Sequence, residues 1–316
     1  MKPFAFIFPG QGSQSVGMLD AWGDHPVVRA VLDEASQALQ EDIGALIREG
    51  SKETLALTTN TQPAMLVAGV AAYRVWMAEV GIAPQAVAGH SLGEYAALVA
   101  AGALTLGDAV PLVRLRGQAM QEAVPVGKGA MAAILGMEPV RVAALCAQVA
   151  AEFSPESGEL VAAANFNDNA QTVISGSKAA VERACEALKA QGAKRALLLP
   201  VSAPFHCALM QPAALILRER LRQIAIASPK IPLVNNIDVM EETDPERIRD
   251  ALYRQAFGPV RWVQTVQALK ARGLEHMVEC GPGKVLSGMV KRIDASLGAF
   301  AVFDPATLAE TKAGLQ

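Results

Sequence analysis

Short apolar runs that end in glycine or proline alternate along this chain with longer stretches of helix-forming residues. Phe4–Phe8 ends at Pro9, and the run at residues 86–88 ends at Gly89. Uninterrupted apolar runs of this length are typical of strands buried in a parallel sheet. Helix-forming stretches follow these runs at 27–39, 51–57, 62–79, 94–101 and 108–122. The alternation predicts an α/β fold with a parallel sheet.

The pattern changes between residues 128 and 201, where short strands and helices follow one another closely. The predicted order is strand 130–135, helix 139–151, strands 159–165 and 171–175, helix 178–190 and strand 195–199. This βαββαβ order is typical of a ferredoxin-like unit. We therefore predict a discontinuous larger domain, formed by residues 1–127 and 202–316, with a small ferredoxin-like domain inserted at 128–201.

The larger domain resumes after residue 202. Its predicted elements are helix 207–224, strand 233–235, helices 244–257 and 262–271, strand 276–278 and helix 285–292. The strand at 276–278 is predicted to be the last one. The segment from Thr307 onward is weakly patterned, and we expect it to be peripheral.

Composition and charge narrow the possible classes of protein. Of 316 residues, 52% are hydrophobic and 19% charged, with 28 Lys+Arg against 31 Asp+Glu. This balance excludes dominant disorder and lacks the basic surface of a nucleic-acid-binding protein. The four cysteines form no CxxC pair, so we expect reduced thiols in a cytoplasmic protein, with no disulfide framework and no metal site. No apolar run reaches the ~20 residues of a membrane span, so no membrane association is expected.

The first candidate for chemistry is the sequence Gly89-His90-Ser91-Leu92-Gly93, which matches the G-x-S-x-G nucleophile elbow. A predicted strand precedes it and a predicted helix follows it, as such an elbow requires. The turn would expose the Ser91 hydroxyl at the N-terminus of a helix, where N–H groups and the helix dipole favour negative charge. The pentapeptide alone also fits a structural Gly-Ser turn.

A nucleophilic serine needs a base, and the chain has four histidines to offer. His25 lies in a polar segment, His90 adjoins the serine in a sharp turn, and His276 borders a predicted strand. His206 follows the loop at which the larger domain resumes. Its position downstream of Ser91 fits the chain order of an α/β-hydrolase-like sheet, which makes it our candidate for the general base.

The loop FPGQGSQ at residues 8–14 follows the first predicted strand, at the sheet edge where ligands bind. Gly10 and Gly12 let the backbone around Gln11 approach a ligand closely. An oxyanion hole needs an N–H group from a second loop besides that of Leu92, and Gln11 is placed to supply it. The loop contains no phosphate-binding glycine motif.

Seven motifs then occur in one order and spacing: FPGQGSQ at 8–14, GHSLGEY at 89–95, RGQAMQEAVP at 116–125, NFN at 165–167, VSAPFHCALM at 201–210, VNN at 234–236 and GPGKVL at 281–286. Together they resemble the malonyl-CoA:acyl-carrier-protein transacylases of type II bacterial fatty acid synthesis, over about the whole chain. Acyltransferase domains of polyketide and animal fatty acid synthases share several of them. The resemblance implies an α/β-hydrolase-like core with a ferredoxin-like insertion.

The resemblance also implies roles for individual residues. It makes Ser91 the nucleophile, His206 the base and Arg116 the ligand of the malonyl carboxylate. The backbone N–H groups of Gln11 and Leu92 would form the oxyanion hole, and the backbone carbonyl of Gln255 would orient the base. In related polyketide acyltransferases a phenylalanine before this histidine accompanies selection of malonyl over methylmalonyl, which suits Phe205; packing under the loop is the alternative role for this residue. From the residues alone, Arg74 or Arg114 would serve equally well as the cation. No cofactor is implied.

The implied activity is transfer of a malonyl group from malonyl-CoA to the phosphopantetheine thiol of acyl carrier protein, through a malonyl-serine intermediate. The expected partners are malonyl-CoA, coenzyme A and acyl carrier protein, and we expect a monomer. Three alternatives stay open on the sequence: a serine esterase or thioesterase, a malonyl transferase that serves polyketide synthesis, and a scaffold that only docks carrier protein.

Overall fold

The computed structural model describes residues 1–316, in nine strands and thirteen helices. The strands are β1 (Phe4–Phe8), β2 (Ala86–Gly89), β3 (Gly129–Leu135), β4 (Val161–Asp168), β5 (Gln171–Ser177), β6 (Arg195–Leu198), β7 (Leu233–Val234), β8 (His276–Cys280) and β9 (Gly298–Val302). The helices are α1 (Pro26–Leu39), α2 (Ile43–Glu49), α3 (Lys52–Ala56), α4 (Thr58–Glu79), α5 (Gly93–Ala100), α6 (Leu106–Glu122), α7 (Pro139–Ala150), α8 (Lys178–Ala190), α9 (Gln211–Arg222), α10 (Pro245–Gln255), α11 (Trp262–Ala271), α12 (Val285–Ile293) and α13 (Pro305–Gly314).

A five-stranded parallel sheet forms the centre of the larger part of the chain, in the order β7-β2-β1-β8-β9. Every residue of β1 is buried. Phe4, Phe6 and Phe8 face a core of 57 buried residues on one side of the sheet, and Ala5 and Ile7 face a second core on the other. Because both faces of the strand are covered, its sequence is apolar without alternation, as the pattern of hydrophobic positions indicated.

A four-stranded antiparallel sheet stands apart from the first, in the order β4-β5-β3-β6. Helices α7 and α8 pack on it around a core of 15 buried residues of their own. Two backbone hydrogen bonds join its edge strand to the larger part: Phe166 N–H to Val260 O at 2.9 Å, and Val260 N–H to Ala164 O at 2.8 Å. The molecule is thus a mixed α/β protein with one parallel and one antiparallel sheet.

Two predictions for the C-terminal part were wrong. Strand β8 is not the last one, because β9 pairs with it in parallel along its whole length. The segment from Thr307 is not peripheral, because α13 packs on β9 and Leu315 is completely buried. A capping box between Asp304 and Thr307 begins this helix. Helix α2 was also missed, and the helix predicted at 207–224 begins only at Gln211, after a short 3₁₀ turn.

Two observations bear on the chain's environment. All four cysteines are buried, and none is paired with another. None of the helices combines the length and the hydrophobicity that crossing a bilayer requires.

Candidate active site

The turn between β2 and α5 carries Ser91 in a conformation that side chains rarely adopt, with φ at +52°. Both glycines are needed there: a Cβ on Gly89 would lie 1.9 Å from the carbonyl carbon of Gly93, and a Cβ on Gly93 would lie 2.0 Å from the oxygen of Phe8. Asn236 holds the turn from behind. Its Oδ1 accepts from the Ser91 N–H at 2.7 Å, and its Nδ2 donates to the Gly89 carbonyl at 2.6 Å.

His206 lies across the cavity from the turn, with Nε2 2.6 Å from the Ser91 Oγ. Its Nδ1 lies 3.0 Å from the carbonyl oxygen of Gln255 and 3.2 Å from that of Gly258. Carbonyl oxygens only accept hydrogen bonds, so Nδ1 carries the proton and Nε2 presents a lone pair to the hydroxyl. Burial, followed by the nearby Arg116 cation, lowers the pKa of His206 to about 3. The ring is therefore neutral near pH 7 and able to accept the serine proton.

Arg116 points from α6 into the same cavity and is 2% exposed. Its Nη2 donates to the Ser91 Oγ at 3.2 Å and to Gln255 Oε1 at 3.0 Å, and its Nη1 donates to Gln62 Oε1 at 2.8 Å. The guanidinium lies over the ring of Tyr95, 5.4 Å from the ring centroid. Its partners include no carboxylate. A buried cation with only neutral partners is well suited to bind an anionic group that enters the cavity.

The other two candidate arginines lie elsewhere. Arg74 forms an ion pair with Glu34 at 2.5 Å. Arg114, two residues before Arg116 on the same helix, pairs with Glu41 at 2.6 Å. The structure thus brings only one of the three candidates to Ser91.

The three other histidines also have local partners. His25 caps the N-terminus of α1. His276 stacks on Phe300, with 6.1 Å between ring centroids. His90 also lines the cavity, but its Nε2 lies 2.9 Å from Asn167 Oδ1.

The backbone N–H groups of Gln11 and Leu92 make no hydrogen bond within the chain. Both residues line the cavity beside Ser91. The Gln11 side chain is held by Thr58, whose Oγ1 donates to its Oε1 at 2.9 Å. Two free donors from two loops at one cavity are what a developing oxyanion requires.

The rest of the cavity wall is mostly apolar and comes from both parts of the molecule. Met120 lies on α6 and Met131 on β3, and the segment after β6 contributes further residues, namely Leu199, Val201 and Phe205. Phe205 is only partly buried and packs against both the large core and a small cluster around Met131. The site therefore lies between the two sheets of the molecule.

Sequence reasoning missed several polar residues behind the site. Gln62 holds Arg116, Asn236 holds the turn, and the side chain of Gln255 contacts Arg116 as well. Glu94, next to the elbow in sequence, is 2% exposed. Glu94 and Asn236 lie within the seven motifs, whereas Gln62 and Gln255 lie outside them. The sequence does not reveal their contacts, because side chains far apart in the chain meet only once the fold is known.

Comparison with known proteins places this geometry in context. Residues 5–297 match the acyl transferase domain family. The chain is 52% identical over 310 residues to the malonyl CoA-acyl carrier protein transacylase of Escherichia coli K12, covering 98% of both chains. It is 59% identical to the acyl-carrier-protein S-malonyltransferase of Burkholderia pseudomallei 1710b, with a TM-score of 0.94 over 98% of this chain and 99% of the other. A malonyl-transacylase solved in complex with a type II PKS acyl-carrier protein (PlMCAT:AntF) is 48% identical, with a TM-score of 0.95 over 99% of this chain and 100% of the other.

Proposed function

This chain belongs to the acyl transferase domain family, among its malonyl CoA-acyl carrier protein transacylases, and from that premise we propose how its residues transfer a malonyl group. The group moves from malonyl-CoA to the phosphopantetheine thiol of acyl carrier protein, for fatty acid biosynthesis, through a malonyl ester of Ser91. One observation carries these roles: the Ser91 Oγ lies 2.6 Å from the His206 Nε2 and 3.2 Å from the Arg116 Nη2. Nucleophile, base and an anion-binding cation thus meet at one atom.

In the first half-reaction the Ser91 Oγ attacks the thioester carbonyl while His206 Nε2 accepts the hydroxyl proton. The carbonyl oxygen becomes an oxyanion, which the N–H groups of Gln11 and Leu92 stabilise. The carbonyls of Gln255 and Gly258 accept from the Nδ1–H of the imidazolium. As the carbon–sulfur bond breaks, coenzyme A leaves and takes the proton from His206.

Arg116 binds the malonyl carboxylate in this proposal. Its planar guanidinium offers parallel N–H groups that match a carboxylate, giving orientation as well as charge. The bond between Arg116 and the Ser91 hydroxyl is given up when the carboxylate enters, which frees the hydroxyl for attack. Gln62 and Gln255 hold the guanidinium in place meanwhile.

In the second half-reaction the phosphopantetheine thiol attacks the malonyl ester. His206 accepts the thiol proton and returns it to the Ser91 Oγ as the ester bond breaks. Water must not take the place of the thiol. The apolar wall of Met120, Met131 and Phe205 leaves an attacking water few hydrogen-bond partners.

A transfer assay separates this function from hydrolysis. Malonyl-CoA labelled in the malonyl group is incubated with the protein and holo acyl carrier protein, and labelled carrier protein and free malonate are measured together. Transferase activity predicts labelled carrier protein with little malonate. A serine esterase or thioesterase predicts malonate with or without carrier protein, and a scaffold predicts neither product.

A polyketide role is the second candidate, because the related malonyl-transacylase bound to a type II PKS acyl-carrier protein is 48% identical to this chain. Both roles use the same two half-reactions and differ only in the acceptor. The ratio of kcat/KM for a fatty acid carrier protein and for a polyketide carrier protein distinguishes them.

We also propose the domain division. Residues 1–127 and 202–316 form an α/β-hydrolase-like catalytic domain, and residues 128–201 form a ferredoxin-like domain. The βαββαβ order of β3 to β6 and the separate core of 15 buried residues support the second assignment.

We propose a cytoplasmic monomer with no nucleic-acid or membrane partner. The molar mass of the purified protein, measured by light scattering, tests whether it is a monomer.

Phe205 is proposed to limit the size of the acyl group. It lines the cavity and directly precedes the base in sequence, and in this proposal its ring fills the space that a 2-methyl branch would need. One methyl group in an apolar pocket changes discrimination by about 1–3 kcal/mol. We expect Phe205→Ser to raise kcat/KM for methylmalonyl-CoA relative to malonyl-CoA by roughly tenfold or more. An unchanged ratio in a normally folded variant would show that Phe205 only packs against the core.

A further inference from the structure

A buried carboxylate lies behind the site and takes no part in the proposed reaction. Glu94 is in the first turn of α5 and is 2% exposed. Its Oε2 accepts two hydrogen bonds, from the backbone N–H of Asn236 at 2.9 Å and from Nε2 of Gln255 at 3.0 Å. It forms no direct hydrogen bond with Arg116, whose partners are neutral. A buried carboxylate without a cation in contact is costly, so its retention needs a reason.

The side-chain amide of Gln255 connects Glu94 to Arg116. Its Nε2 donates to Glu94 and to the Ser91 carbonyl at 3.0 Å each, and its Oε1 accepts from the Arg116 Nη2 at 3.0 Å. An ionised carboxylate only accepts hydrogen bonds. Glu94 therefore requires the NH₂ end of the amide to face it, which leaves the oxygen end for Arg116. With the opposite orientation, NH₂ would face the guanidinium and no hydrogen bond would form.

The amide also separates the two charges. The Glu94 charge attracts the Arg116 guanidinium across the intervening amide, and such attraction is strong in a buried site. Direct contact would occupy the donors that the substrate carboxylate needs. With Gln255 between them, the cation is held in place and keeps donors for an incoming anion.

We propose that Glu94 is a positioning residue for substrate selection, which holds the Gln255 amide in one orientation and so keeps Arg116 directed at the acyl group on Ser91. The inference rests on the proposed function, because it requires Arg116 to bind a substrate carboxylate. It goes beyond that function in assigning malonyl selectivity to a residue that touches neither the substrate nor the reacting atoms.

The charges around Glu94 indicate how selectivity depends on pH. Burial raises the pKa of Glu94 to about 7. The groups that face it are Arg116 on α6, Tyr95 on its own helix, and Asp238, which is paired with Arg254 on α10 at 2.7 Å. Burial raises the pKa of Tyr95 to about 12, and the bond to Arg254 lowers that of Asp238. Between about pH 6 and about pH 8, Glu94 is therefore the member of this cluster that changes charge.

The experiment measures kcat/KM for malonyl-CoA and for acetyl-CoA, which lacks the carboxylate, in wild type, Glu94→Ala and Glu94→Gln. We expect Glu94→Ala to lower the malonyl-to-acetyl ratio by roughly tenfold, because Gln255 Nε2 then keeps only the Ser91 carbonyl as acceptor and the amide is held less firmly. In the wild type the ratio falls as pH decreases through about 7 and Glu94 becomes protonated. In Glu94→Gln, which does not titrate there, the ratio is independent of pH.

Glu279 provides a matched control. It is also a completely buried glutamate, and its Oε2 accepts from the backbone N–H of Ser287 at 2.8 Å, away from the cavity. We expect Glu279→Gln to lower the unfolding temperature without changing the malonyl-to-acetyl ratio. Thermal unfolding of all variants separates loss of stability from loss of selectivity.

Failure of this inference can be distinguished from failure of the proposed function. Equal losses of malonyl and acetyl transfer in Glu94→Ala would make Glu94 structural. A pH dependence of the ratio that persists in Glu94→Gln would assign the titration to another group, and this test decides the matter if Glu94→Ala does not fold. If the wild type forms no malonyl-Ser91, the proposed function fails first. If malonyl-Ser91 forms but the malonyl-to-acetyl ratio is the same in the wild type and the Glu94 variants, only the role of Glu94 is overturned.

Discussion

Wild-type protein incubated with malonyl-CoA is expected to gain the mass of one malonyl group on Ser91, and Ser91→Ala is expected to gain none. The serine is held at φ +52° with its hydroxyl 2.6 Å from a neutral His206, so the nucleophile and its base are already aligned. Removing the nucleophile of a serine enzyme lowers kcat by about 10⁶-fold. Intact-protein and peptide mass spectrometry locate the adduct, and the transfer assay measures the loss.

Cys207 is the alternative nucleophile that this experiment must exclude, because its thiol adjoins the proposed base. It is buried, its Sγ donates to the Pro204 carbonyl at 3.1 Å, and burial raises its pKa. A thiol held in that state is a poor nucleophile. Cys207→Ala should therefore keep the adduct, and a stable malonyl group found on Cys207 in the wild type would refute the assignment of Ser91.

The sequence predicted those parts of the site that depend on local chain geometry. The elbow at Ser91 is a strand, a glycine turn and a helix, all within a few residues, and such patterns are visible in sequence. The contact between His206 and Ser91 spans 115 positions, and residue types alone left the choice of base open. Arg116 could not be separated from Arg114 by composition or spacing, because the face of the helix that meets the cavity depends on tertiary packing.

In the fold, too, elements set by local pattern could be predicted, whereas elements that depend on tertiary contacts could not. Strand β1 and helices α8 and α11 were predicted with their exact bounds, because β1 is an uninterrupted apolar run that ends at Pro9 and each helix keeps one hydrophobic period throughout. Strand β9 was missed, since its five residues include a glycine and two alanines, and only pairing with β8 makes them a strand. Helix α13 buries residues against β9, so its burial likewise depends on an element that the sequence did not reveal.

Loss of the Arg116 side chain is expected to abolish malonyl selectivity rather than acyl transfer as such. In Arg116→Ala, the malonyl carboxylate would enter a buried cavity with no cation to meet it. Removing one partner of a buried ion pair costs about 3–5 kcal/mol, or roughly 10²- to 4 × 10³-fold in kcat/KM for malonyl-CoA. Acetyl-CoA brings no carboxylate and should lose far less, so the preference between the two substrates narrows or inverts.

Arg114→Ala is the matched control for Arg116→Ala, because it removes the same side chain from the same helix. Arg114 donates to Glu41 and to Asn60 Oδ1, neither of which lines the cavity, so its loss removes no group that faces the substrate. We expect its malonyl-to-acetyl ratio to equal that of the wild type.

Equal losses of malonyl and acetyl transfer in Arg116→Ala would mean that the guanidinium only supports Ser91 and Gln255, and that the carboxylate binds elsewhere. Partial recovery of malonyl transfer in Arg116→Lys, which restores charge without the planar fork, would separate the contribution of charge from that of bidentate geometry.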